Sequence, residues 1–182
     1  MARTGVAFLM LLVAANGRGS VSAEFGADRF AAGGTVLATQ AVQGDFIAAG
    51  GTVRVATSVK GDAVLAAGNV ELEADVAQGL YAAGGDVRIE GSVGRNARLA
   101  GGRVELGPRG RIEGNITVAG GAVALRGSVK VYVQAAGGRV LIDGPIAGNV
   151  LVRSGHLTLG PRARMLSSRP ALAARSEASA AR

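Results

Sequence analysis

Ala82-Ala83-Gly84-Gly85-Asp86-Val87-Arg88-Ile89 and Leu99-Ala100-Gly101-Gly102-Arg103-Val104-Glu105-Leu106 are one phrase written twice, seventeen residues apart. In both, a Gly-Gly pair is followed by apolar residues at every second position, the mark of a strand with one buried face. Followed outward, the second glycine recurs at Gly34, Gly51, Gly68, Gly85, Gly102, Gly121, Gly138 and Gly155. The steps are 17, 17, 17, 17, 19, 17 and 17 residues. The long step coincides with an insertion, Gly107-Pro108-Arg109-Gly110-Arg111-Ile112, matched in the last repeat by Gly160-Pro161-Arg162-Ala163-Arg164-Met165. A fixed period of this kind predicts a solenoid, in which each repeat buries its apolar face only against its neighbours.

The columns of the repeat identify the inward positions. Two residues after the key glycine stand Val36, Val53, Val70, Val87, Val104, Val123, Val140 and Leu157, the predicted structural core. Four after it stand Ala38, Val55, Leu72, Ile89, Leu106, Leu125, Ile142 and Leu159. Three before it, and again in mid-repeat at Val42, Val59, Val76, Val93, Ile112, Val129, Ile146 and Met165, the residues are also apolar. A helix would need spacings of three and four, and the glycines would break it. The reading is all-β: a single-stranded parallel β-helix of about eight coils, with three short strands per coil and a core of like small aliphatics. Its rod would be roughly 40 Å long at one strand spacing per coil. Bends are expected at the key glycines, at a mid-repeat Gly or Pro, and at Asp45, Asp62, Asn96, Asn115 and Asn149, because Gly, Asn and Asp tolerate positive φ. Outward positions carry Arg54, Glu71, Arg88 and Glu105 in successive coils, an alternating-sign ladder if the coils stack in register.

Residues 30–166 make up this repeat domain, preceded by a lead-in at 24–29. Residues 1–23 read as an export signal: Arg3 leads, Val6–Ala15 is an apolar run too short to span a bilayer, and Val21-Ser22-Ala23 offers a small-x-small cleavage site. Export to the periplasm or cell envelope, or secretion, follows as the expected localisation. Residues 167–182, rich in Ala, Ser and Arg without an apolar stripe, are expected to be a disordered or weakly helical tail. Most of the formal charge of +7 lies outside residues 24–161. Residues 24–161 hold 13 basic and 12 acidic side chains. A nucleic-acid partner needs clustered positive charge and usually stacking aromatics, and neither is present in the repeats.

Catalytic chemistry is equally hard to place. His156, the one histidine, follows the last key glycine with no carboxylate pair or cysteine nearby in sequence. The Asp45/Asp62 column lacks the dense glycine-aspartate nonapeptide of calcium-binding β-rolls. The repeat is also unlike the six-residue aliphatic-glycine coils of acyltransferases, and the carboxylate clusters of β-helical polysaccharide-cleaving enzymes are missing. The expectation is a non-enzyme with no cofactor, no metal site and no small-molecule substrate.

The coils Gly51-Thr52-Val53-Arg54-Val55 and Gly85-Asp86-Val87-Arg88-Ile89, each followed by a Gly-Asp or Asn bend, resemble those of the bactofilins, polymer-forming cytoskeletal proteins of bacteria. The resemblance covers residues 30–166. It implies a right-handed β-helix that joins end to end into filaments without nucleotide, often at the cell envelope. Typical members work in the cytoplasm, so the export signal points to an envelope-side relative. Partners would then be other copies of the chain, together with envelope components. No amphipathic cap helix is visible at either end, and uncapped strand edges favour association. Phe30, Ile47, Val64 and Tyr81 form an outward apolar column, a candidate interface. The competing reading is a secreted binding module or adhesin that presents one face to a glycan or protein.

Overall fold

The computed structural model describes residues 20–165 and 172–175. Most of the expected export signal, residues 1–19, and most of the expected tail lie outside the described residues. The strands run β1 (Ser20–Phe25), β2 (Asp28–Ala38), β3 (Phe46–Val55), β4 (Ala63–Leu72) and β5 (Leu80–Ile89). They continue as β6 (Ser92–Val93), β7 (Ala97–Leu106), β8 (Arg111–Ile112), β9 (Asn115–Leu125) and β10 (Ser128–Val129). Last come β11 (Tyr132–Ile142), β12 (Pro145–Ile146), β13 (Asn149–Leu159), β14 (Arg164–Met165) and β15 (Leu172–Arg175). No helix occurs among the described residues.

Each long strand from β2 to β13 pairs in parallel with the next, one repeat along. Val36 stands beside Val53, Val53 beside Val70, Val70 beside Val87 and Val87 beside Val104. The chain is a β-solenoid of about eight turns.

The coil has three sides, but two of them belong to one strand. Pairing runs through Gly33–Gly50 and Thr35–Thr52 and omits Gly34 and Gly51, and the same gap recurs at every later key glycine. Burial slips phase at the same place: in β4, Ala63 and Leu65 are buried before Gly68, and Val70 and Leu72 after it. The strand therefore turns a corner there without ending. The third side is single bridges (Val42 to Val59, Val59 to Val76, Val76 to Val93) and then the two-residue strands β6, β8, β10, β12 and β14.

The corner glycines are not there for positive φ. Among the described residues no non-glycine has positive φ, and Gly26 is the single glycine that does, at 66°. What requires glycine is the coil beneath. A Cβ on Gly51 would lie 2.7 Å from the carbonyl oxygen of Gly34, and one on Gly68 or Gly85 would lie 2.9 Å from its counterpart. The Asp and Asn bends are corrected in the same way. The Asp45 N–H donates to Asp28 Oδ1 at 3.0 Å, Asp62 N–H to Asp45 Oδ1 at 2.8 Å, and Gly79 N–H to Asp62 Oδ1 at 2.7 Å. Asn115 N–H repeats the contact on Asn96 Oδ1 at 2.9 Å. These side chains tie a bend to the next bend up, satisfying backbone donors that turn away from the sheets.

The core holds one column more than the sequence reading found. Five residues before the key glycine, Phe46, Ala63, Leu80, Ala97, Ile116, Val133 and Val150 are all buried. Nor is the core uniform. In this column large and small side chains alternate from Phe46 to Ile116, while the column two residues on alternates out of phase: Ala48, Leu65, Ala82, Leu99, Val118. Over Phe46–Leu99 each coil thus contributes one large and one small residue, so that neighbouring coils interlock large against small.

Candidate assembly interface

A solenoid pairs every interior strand twice and its terminal strands once, so the ends decide what it can join. At the amino-terminal end, β1 doubles back through the turn at Gly26 and pairs antiparallel with β2. Among the described residues it covers Asp28–Gly33, and none pairs with the Thr35–Ala38 half of the edge from below. At the other end β15 pairs in parallel with Val150–Arg153 of β13, and among the described residues none pairs with His156–Leu159 from that side. The expectation of a disordered or weakly helical tail over 167–182 is corrected for Leu172–Arg175. Backbone pairing on an open edge needs no apolar alternation, so sequence pattern could not signal this strand. Likewise the ends, expected to be open, are each half covered.

The uncovered half at the carboxyl-terminal end carries the clearest sign of an incomplete stack. Val55, Leu72, Ile89, Leu106, Leu125 and Ile142 are 0–1% exposed, whereas Leu159, next in their column, is 48% exposed. Leu157 is only partly buried, at the end of the Val36-to-Val140 column. Gly34 gives the matching sign at the other end. It has ordinary backbone and nothing within 4 Å of a Cβ built on it, while each later key glycine has a carbonyl oxygen beneath it at 2.7–3.2 Å. Gly155 completes that column at 3.2 Å from the Gly138 oxygen.

The outward columns are charged in pairs. Arg54 stacks beside Glu71, Glu71 beside Arg88, and Arg88 beside Glu105. The closest contacts, however, go to carboxylates that sequence reasoning did not single out: Arg54 to Glu73 and Arg88 to Glu90, both at 2.7 Å. These bonds hold both guanidinium pKa values above the ordinary one. The two insertions behave alike, each sending an arginine down to the preceding coil. Arg109 reaches Glu90 at 3.5 Å, and Arg162 clamps Asp143 through its backbone N–H at 2.9 Å and its guanidinium at 2.7 Å. Asp143 is held below the usual carboxylate range by the Arg162 side chain and N–H. Burial pushes Glu90 up, but the bonds from Arg88 and Arg109 outweigh it and the net direction is down.

Phe30 and Ile47 are half-buried, while Val64 and Tyr81 are 40% exposed. Phe25 of β1 extends this apolar column, meeting the Phe30 ring edge-on at 5.9 Å between centroids. The column ends where Arg98 lies over the Tyr81 ring, 5.4 Å from its centroid, and donates to its hydroxyl at 3.0 Å. His156 is exposed, in register with Arg139. Among the described residues no three His, Cys, Asp or Glu side chains converge to hold a metal ion, and no buried polar side-chain atom lacks a partner. Comparison with protein-family models, with curated proteins and with solved structures finds no match to this chain.

Proposed function

We propose that this protein is a structural, polymer-forming β-solenoid that assembles end to end at the cell envelope. The observation that carries this reading is Leu159, left half in solvent at the end of a column whose interior members are sealed. A second copy stacked in register would place its Val36 and Ala38 over Leu157 and Leu159 by the spacing that joins interior coils. The bactofilin-like repeat agrees with this, and a stack that pairs backbone edges needs no nucleotide.

Gly34 supplies a test that separates assembly from folding. In the single chain its Cβ position is open, but in a stacked pair it would meet the Gly155 carbonyl of the copy below, as Gly51 meets Gly34. Gly34→Val should leave the circular dichroism spectrum of leader-processed protein unchanged and hold it as a monomer, while processed wild type forms rods visible by negative stain. Monomeric wild type at high concentration, or a Gly34→Val chain that polymerises as well as wild type, would overturn the proposal. The exposed Val64 and Tyr81 favour a second reading, a face that binds a glycan or protein partner. Retention on glycan or envelope-protein resins, lost in Tyr81→Ser, would support that alternative.

A further inference from the structure

We infer that β1 is a removable plug and that cleavage after Ala23 uncovers the edge on which a second copy stacks. This rests on the end-to-end reading and adds its control. Four of the six registered pairs of β1 are made by Ser20, Val21, Ser22 and Ala23, opposite Gly33, Ala32, Ala31 and Phe30. The small-x-small sequence Val21-Ser22-Ala23 ends inside this strand. Hydrolysis of the Ala23–Glu24 amide by a leader peptidase, with water giving OH to the Ala23 carbonyl and H to the Glu24 nitrogen, removes those four pairs. Only Glu24–Arg29 and Phe25–Asp28, flanking the Gly26 turn, remain.

The pair count then turns in favour of stacking. β1 and β15 occupy the places that strands of a neighbouring copy would take, so in-register stacking must displace both. Counting the third side, the ten registered pairs of an interior junction such as the first, nine of β2–β3 and the Val42–Val59 bridge, would replace the six of β1 and the four of β15, with no net gain. After cleavage they replace two and four, a gain of four. The unprocessed chain thus gains no pairs by stacking, and the processed one gains four. The occupant is a second copy because its terminal coil repeats the same columns at the same period as every interior coil.

The test uses the full chain in mild detergent, treated with leader peptidase, beside Ala23→Val, which blocks cleavage while preserving a strand-forming residue. Sedimentation should show the treated wild type at several-fold the protomer mass, with untreated wild type and treated Ala23→Val at one protomer. Equal assembly of treated and untreated chains would overturn the plug and leave the end-to-end reading intact. No assembly in any sample would overturn both. A second readout isolates the plug in the non-stacking Gly34→Val background. Amide exchange over Phe30–Gly33 should quicken many-fold on cleavage, and unchanged protection would refute the inference.

Discussion

Substituting alanine along the glycine column distinguishes two physical reasons for glycine that the sequence cannot tell apart. If the corners needed left-handed backbone, Gly34→Ala and Gly51→Ala would be strained alike. Neither glycine has positive φ, so the cost should depend on what lies below. At Gly34 nothing stands within 4 Å of the added Cβ, and the substitution should be neutral or stabilise by about 0.4–1 kcal/mol through reduced freedom of the unfolded chain. At Gly51 the Cβ would lie 2.7 Å from the Gly34 oxygen. That oxygen belongs to backbone pinned to β3 by the flanking pairs Gly33–Gly50 and Thr35–Thr52, so relief requires the coils to part. Overpacking of this kind costs about 1–3 kcal/mol. Gly138 and Gly155, at 3.1 and 3.2 Å, should fall between the two. The assay is urea denaturation of the unprocessed chain followed by far-ultraviolet circular dichroism, with wild-type slope required before midpoints are compared. Equal losses at Gly34 and Gly51, or a stabilised Gly51→Ala, would refute the close-approach explanation.

Exchanging side chains within one coil, Ala63→Leu with Leu65→Ala, keeps composition and coil volume. It places the new leucine between Phe46 and Leu80, and the new alanine between Ala48 and Ala82. If interlocking matters, denaturation midpoints should report a loss of about 3 kcal/mol or more, the cavity and overpacking costs together, where a tolerated volume-conserving swap stays under about 1.5. Asp143 predicts an acid response. Its pKa is depressed, so its contribution is present above the unfolded carboxylate value of about 4 and is lost as pH falls through the lower folded value. Melting temperature against pH should therefore drop on the acid side, and Asp143→Asn should flatten that limb; an unchanged acid limb would refute the role of the Arg162 clamp.

The period was legible because a stack forces one condition on every coil. Val53, Val70 and Val87 must sit above one another, so the same residue type returns at the same interval. The column five residues before the key glycine, Phe46, Ala63, Leu80, Ala97, Ile116, Val133 and Val150, is as apolar in the sequence as the column three before it, and only its first member, Arg29, breaks it. What exists only once coils are packed is the complementarity in size between these two columns. The corner residues were found for the wrong reason: glycine composition reveals that a Cβ is excluded, whereas only neighbouring coils reveal what excludes it. The Asp45–Asp62 ladder was similarly read as local turn chemistry, although its bonds join residues seventeen apart.

The amino-acid sequence by itself determined the all-β solenoid, its seventeen-residue step and most inward positions, because periodic burial is written directly in side-chain polarity. Tertiary structure decided the ends. Whether β1 and β15 lie along the terminal coils depends on backbone donors and acceptors left unpaired by the stack, and those groups are the same for every residue except proline. A strand edge attracts a partner through main-chain geometry alone, so side-chain pattern carries no record of which segment answers it.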